Sequence, residues 1–434
     1  MNIITTSESS FGHLIEEGRV HRTLYTDTDI FRLEMSRVFG GTWTYLAHAS
    51  ELPKPNDFVR KKLGLRPVII TRDREGKFHG LLNRCTHRGA TICRQDEGNA
   101  RRFTCPYHNW SFTNTGELAA VPLEEGYGPS FKKEELGLGK LRVESYRGFI
   151  FGTLNKELPD LKTHLGPSAE LLDEWLDRWP GAELQLRRGQ TRFTCAGNWK
   201  LIYDNAADGY HPGYSHASLL RMRKDRYGGG VDMQWALGNV DEGLQTVSDC
   251  GNGGTFIDQR AEIIRYWDQS APMPGEGPYA RIISEKMGDK ADAALDVVMG
   301  SGMNINIFPN LLIIGNQIQV IEPQSVNKTN INWYATALVA DDLPDEVNSL
   351  RMRLQEDFPS FGEPDDLANF EECQAGLEIE EVEWIQTGRH MDTGKEYIGA
   401  KGMLSGPVSD ELPLRVFWKE WQKRIEQGNT GGTK

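Results

Sequence analysis

Residues 83–112 read NRCTHRGATICRQDEGNARRFTCPYHNWSF and set one cysteine beside one histidine twice, as Cys85-x-His87 and as Cys105-x-x-His108. Two thiolates and two imidazoles form a donor set that transition metals select. A shared centre ties the two segments together, and the sequence around them is suited to holding loops side by side. DFVRKKL, RPVIITRD, FHGLLNR, RFTCPY, SFTNTGEL and RGFIFGTL are short β-rich runs, divided by Gly, Asn and Asp turns. The pattern predicts a small all-β region over about residues 57–154, inside a domain bounded at 41–156, with both pairs in its loops.

Two metals compete for this set. Structural zinc sites usually pair their cysteines in a CxxC knuckle and reach the histidines by a longer loop. Here each arm carries one cysteine and one histidine, which suits a two-iron cluster. The thiolates would hold one iron and the imidazoles the other, the Rieske [2Fe–2S] arrangement. Neutral imidazoles in place of thiolates raise the cluster's potential. Arg88, Gly89 and Trp110 either shape and shield the loops or simply pack. Cys93 has no partner cysteine in CPYH, which disfavours the respiratory-type variant with a disulfide between its loops. A Rieske electron-transfer protein and a zinc-stabilised binding protein are the alternatives from other classes.

At 434 residues the chain has room for two or three domains. Its formal charge of −13 opposes binding to nucleic acid or anionic lipid. No apolar run approaches a bilayer span, and MNIITTSESSFGHLIEEG lacks the basic start and apolar run of a secretory signal. Six cysteines do not make a disulfide scaffold in a chain this long. Cys93, Cys195, Cys250 and Cys373 are therefore expected as reduced thiols, in a cytoplasmic enzyme.

Outside the β region the pattern is mixed. YTDTDIFRLEMSRVF predicts a helix within an N-terminal arm, 1–40, that packs on the larger domain. SAELLDEWLDRW, PDDLANFEECQAGLE and PLRVFWKEWQKRIEQ predict helices. The last has Pro413 suited to the first helical position and a core stripe of Leu414, Phe417, Trp418, Trp421 and Ile425. MNINIFPNLLIIGNQIQVIEP and NINWYATALVA predict antiparallel strands. The expected fold is α+β: the small all-β domain plus a catalytic domain, 157–427, whose antiparallel sheet is covered by helices in a helix-grip-like way. The tail, 428–434, is expected to be disordered.

QTRFTCAGNWKLIYDNAADGYH predicts a strand running into a helix that carries His211 and, five residues on, His216. Residues five apart on an ideal helix point about 140° away from each other. They can share a metal only where the helix is distorted, and Pro212 and Gly213 between them supply that. Two histidines and a distant carboxylate would make the facial triad of non-haem Fe(II), which leaves positions open for O2.

The motifs CxHRG, CxYHxW and NWK…N..D.YH….H together resemble the large (α) subunit of Rieske non-haem iron aromatic-ring-hydroxylating dioxygenases, over nearly the whole chain. The outer segments resemble the branch acting on aromatic carboxylates such as benzoate, anthranilate, salicylate or cumate. The resemblance implies a [2Fe–2S] cluster on Cys85, His87, Cys105 and His108, and a mononuclear Fe(II) on His211, His216 and one of Asp365–Asp366. It favours Asp366, and Asp365 then serves the first helical turn. Asn205 matches a position beside the iron. Asp208, three residues before His211 and on one helix face with it, matches a carboxylate bridging the two centres.

The implied reaction is O2 + 2 e⁻ + 2 H⁺ + arene → cis-dihydrodiol; a monohydroxylase or demethylase of the same family is the nearest rival. The chain shows no GxGxxG after a strand, no P-loop and no plant-type ferredoxin motif, GYGPSF and YGGGVD being turns. Electrons must come from a separate NAD(P)H-dependent reductase, with or without a ferredoxin. The resemblance also implies a homotrimer, with or without three small β subunits. In that ring one subunit's cluster approaches its neighbour's iron, and Asp208 joins His211 to His108 of the neighbour. Ala206, Ala207 and Gly209 are small and imply room near the iron. Asn306, Phe308, Leu312 and Ile314 are candidate lining, with core packing the competing reading for the last three.

Overall fold

The computed structural model describes residues 11–186, 189–219, 221–222, 245–261, 285–291, 293–294, 297, 302–345, 347–349 and 358–427. The YGGGVD turn and the tail lie outside them. The chain divides into two compact units. Residues 34–164 form one. The described residues up to Leu33 and from Leu165 to Gln427 form the other. The divisions therefore fall outside the expected 41–156 boundaries. Residues 34–40 and 157–164 belong with the smaller unit.

The smaller unit is built on a seven-stranded antiparallel sheet in the order Thr44–His48, Phe149–Thr153, Lys140–Tyr146, Phe78–Leu82, Arg66–Arg72, Asp57–Leu63, Glu97–Asn99. A three-stranded sheet adds Leu118–Ala120, Ser111–Thr113 and Arg102–Thr104. Strand alternation distributes the side chains between two cores. Val59, Val68 and Ile70 pack with Leu46 and Ile150 on one face. Phe58 and Ile69 turn the other way and pack with Phe103, Trp110, Phe112 and the thiols of Cys85 and Cys105. The cysteines thus rest on a packed sheet face.

In the larger unit ten described strands form an antiparallel sheet. Its centre is the meander Gly254–Asp258, Met303–Ile307, Leu311–Ile314, Gln317–Ser325, Lys328–Val339. Helix Leu412–Glu426 buries Phe417, Trp418, Trp421 and Ile425, with Leu414 half-buried. Pro413 stands second, after Leu412. Phe417 packs on Trp199 and Tyr203 of helix Trp199–Ala207, at ring distances of 5.7 and 4.9 Å.

The N-terminal helix is broken. Asp27 accepts hydrogen bonds from the backbone of Asp29 and Ile30 at 2.7 and 2.9 Å, which caps a new start. The chain runs as Thr23–Thr26, Thr28–Leu33 and a π-turn Glu34–Val38. Tyr25 from this arm donates to Asp204 at 2.5 Å and packs on Trp418.

Candidate metal centres

The first candidate centre lies on two loops of the same design. Cys85 N–H donates to Ala90 O, and Gly89 N–H returns to Cys85 O, at 2.8 and 3.0 Å. Cys105 N–H donates to Trp110 O, and Asn109 N–H returns to Cys105 O, at the same two distances. The fourth residue after each cysteine is left-handed: Gly89 at φ 80° and Asn109 at φ 60°. Glycine and asparagine are the residues that tolerate this. Asn83 staples the first loop, accepting from Ile92 and Cys93 N–H and donating to Cys93 O.

These turns bury both thiols and bring the rings of His87 and His108 to 4.5 Å. Trp110 stacks on His87 at 4.7 Å and 7°, so it both packs and shields. Burial, with Cys105 adjacent, raises the Cys85 thiol against the pull of backbone N–H groups. Burial, then His108 and Arg88, lowers His87. Its Nδ1 is buried without a hydrogen bond. Two buried sulfurs beside two half-buried imidazoles, one with a nitrogen short of a hydrogen bond, fit a metal cluster. Cys93 is a buried free thiol, and Cys195, Cys250 and Cys373 are also free.

The second candidate centre corrects the expected single helix. Asn198 caps Trp199–Ala207, accepting from Lys200 N–H. The helix ends at Ala207, and a second turn, Pro212–Ser215, carries His211 and His216 at its two ends. Asp208 is therefore not on one helix face with His211. It sits extended after the first helix, and its Oδ1 accepts from Tyr210 and His211 N–H at 2.7 and 3.3 Å. This is the local competition with helix that Asp side chains offer. Gly209 lines the cavity beside the triad, and Val408 is a second reason for it to be small. A Cβ there would meet Val408 O at 2.6 Å and Val408 Cγ2 at 2.4 Å. Ala207 is fully buried, whereas Ala206 lines the cavity.

The break lets His211, His216 and Asp366 converge, with one donor atom from each lying within 4.8 Å of the others. Asp366 Oδ1 is 3.8 Å from His211 Nε2 and 3.3 Å from His216 Nε2. This carboxylate oxygen is buried and makes no hydrogen bond. A cation between the three groups would satisfy it. Asp365 does more than cap its helix. Its Oδ2 is 3.6 Å from His216 Nδ1 and accepts from Ser218 Oγ. Burial opposes a charge on His216, but Asp366 and Asp365 outweigh it and hold the imidazole above its ordinary pKa. Asp208 Oδ2 is 3.7 Å from His211 Nδ1.

A cavity of about 110 Å³ opens on this triad. Asn205 and Asp208 line it, as does Ile314. Asn306, Phe308 and Leu312 do not: Asn306 donates to Ala206 O and Thr255 Oγ1, Phe308 packs on Trp199, and Leu312 is core. Gln259, Asn304, Gln319, Trp333 and Glu363 add a polar wall that the sequence reading did not find. The available signal was spacing, since Glu363 precedes Asp366 by three residues and so shares its face. Burial, then the Asp366 carboxylate, pushes the Glu363 carboxyl up to about 8, against the pull of the Trp333 indole. Behind the wall, burial raises Asp204 to about 7, opposed by Tyr25 and Lys200.

Residues 42–145 match the Rieske [2Fe–2S] domain family, and residues 182–427 match the catalytic domain of ring-hydroxylating alpha subunits. The 2-halobenzoate 1,2-dioxygenase large subunit of Burkholderia cepacia is 35% identical over 94% of this chain and 90% of its own. The anthranilate 1,2-dioxygenase large subunit of Acinetobacter baylyi is 33% identical over the same shares. Among solved structures, naphthalene 1,2-dioxygenase with indole bound in the active site superposes with a TM-score of 0.77 at 27% identity, covering 96% of this chain and 94% of that one.

Proposed function

Because this chain belongs to the alpha subunits of the ring-hydroxylating dioxygenases, with a Rieske [2Fe–2S] domain and a mononuclear-iron catalytic domain, we propose that it converts an aromatic carboxylate to a cis-dihydrodiol. The observation that carries the reading is the buried convergence of His211, His216 and Asp366 on one side of a ring-sized cavity. The cavity's 110 Å³ lies below the roughly 150 Å³ that holds a benzene molecule in a protein interior, which favours one ring over a fused pair. Relatives whose names specify benzoate-type acids support the carboxylate.

Cys85, His87, Cys105 and His108 would hold the cluster, and His211, His216 and Asp366 the iron. When bound, the cluster would supply single electrons and the iron would activate O2. The chain's own residues do the rest. Ile202, Ile257, Ile314 and Phe370 wall the arene and exclude water. Asn205 faces the same cavity. Asp365 orients His216 by its back nitrogen, and Asp208 does so for His211; such partners fix ring direction and basicity.

Electrons are proposed to come from a separate reductase and to cross between copies in a homotrimer, with Asp208 joining His211 to His108 of the neighbouring copy. Large oxygenase components of multicomponent systems among the relatives support the outside donor. No described helix is long and apolar enough to cross a membrane. The test is product analysis with a panel of aromatic acids and hydrocarbons and a supplied reductase. A cis-diol from a benzoate-type acid supports the reading. Conversion of hydrocarbons alone contradicts it.

A further inference from the structure

We infer that Glu363 reads a hydrogen-bond-donating substituent, a hydroxyl or an amino group, on the aromatic substrate. This rests on the reading of the cavity over His211, His216 and Asp366 as the arene site. Glu363 is 1% exposed, and it lines that cavity. Its Oε1 is buried without a well-formed hydrogen bond, Oε2 takes a long contact from Gln319 Nε2 at 3.5 Å, and the Trp333 indole lies beside the carboxyl group. At 1.5 Å per residue, three residues place it about 4.5 Å along the helix from Asp366.

A carboxyl group in this position is costly unless something completes its hydrogen bonds. The apolar walls of Ile257, Ile314 and Phe370 cannot do so. Gln319 and the Trp333 indole do so in part; an arene that carries a donor can add to them. A methyl or halogen at this point offers the carboxyl group no donor. An O–H or N–H satisfies it, and a carboxyl group keeps an accepting lone pair in either protonation state. Sites built to meet a substrate O–H or N–H reject analogues that lack it far more strongly than apolar pockets reject a missing methylene.

The test is anaerobic equilibrium binding to the metal-loaded protein. The probes are the three hydroxybenzoates against the three methylbenzoates, and phenol against toluene. At least one hydroxy isomer should bind about 100-fold tighter than its methyl counterpart. Glu363→Leu should reduce that ratio to about threefold or less, weakening the hydroxy ligand and tightening the methyl one. Glu363→Gln, which keeps an acceptor oxygen, should retain most of it. A wild-type ratio near one for every pair overturns the inference and needs no variant. So does a ratio that survives Glu363→Leu in protein with normal cluster absorption and iron content. If phenol outbinds toluene while no benzoate binds, the inference stands and the carboxylate reading falls. If benzoates bind without regard to hydroxyl or methyl, the reverse holds.

Discussion

The two candidate centres hold their ligands in opposite ways. The four proposed cluster ligands come from two short loops closed by the same pair of backbone hydrogen bonds and a left-handed fourth residue in each. Those loops both lie between Cys85 and Trp110, within one small unit. The candidate iron ligands come from a broken helix and from a second helix far along the chain, Glu363–Leu377. One centre is specified locally, and the other exists only when the larger unit has folded. Substitutions at the cluster should therefore act on the cofactor alone, while those around the iron should divide between chemistry and packing.

The sharpest break of the comparison is complete loss at one centre with the other intact. Cys105→Ser should remove acid-labile sulfide, about two per chain in the parent, and with it the visible absorption. Metal analysis should still find one iron at the triad. His211→Ala or Asp366→Ala should do the reverse, losing the mononuclear iron and all oxygenation while the cluster spectrum is unchanged. If Asp365→Ala rather than Asp366→Ala loses the iron, the choice within the acidic pair is wrong.

Asp208→Asn comes next. It should keep both metals and lose most turnover, because the proposed joint from His211 to the neighbouring copy would be gone. Reduced protein mixed with substrate and O2 should reoxidise its cluster far more slowly than the parent. Reoxidation at the parental rate with normal product would remove Asp208 from the electron path.

Asp365→Ala should weaken iron binding by about 10–100-fold, the usual cost of losing a partner to a ligand imidazole. It also has a pH signature. Asp366 and Asp365 hold the His216 imidazole above its ordinary pKa, and a metal must displace that proton. Iron affinity of the metal-free parent should therefore rise with pH through the raised His216 pKa. In Asp365→Ala that rise should move to lower pH. Titration of Fe(II) into stripped protein at several pH values measures both.

The smallest effect separates packing from chemistry. Gly209→Ala should cost about 1–3 kcal/mol of stability through overpacking against Val408. Surviving protein should retain its cluster. Denaturant unfolding of the variant measures the loss.

The contrast also explains what could be read in advance. The cluster loops were legible because CxH and CxxH are local spacings, and the strands around them because alternation and turn residues are local too. The iron histidines were legible as a pair, with Pro212 and Gly213 announcing a distortion. The place of the break was not. Apolar spacing carries the helix signal on through Asp208, and what confines Gly209 is Val408, distant in sequence. Phe308 and Leu312 read as lining for the same reason. A strand's apolar residues do not say which face meets a cavity until the neighbouring strands are placed. The polar wall of Gln319, Trp333 and Glu363 is assembled from two strands and a helix, so no single stretch reveals it.

The most direct test of the central claim is one turnover under 18O2. Protein with its cluster chemically reduced and its iron loaded is mixed with an aromatic carboxylate that it binds, without any reductase, and the product is weighed by mass spectrometry. The account predicts a cis-diol carrying both oxygen atoms from O2, formed by the parent and absent from His211→Ala. A product with a single labelled oxygen, or a cluster that reoxidises while the arene is recovered unchanged, would contradict it.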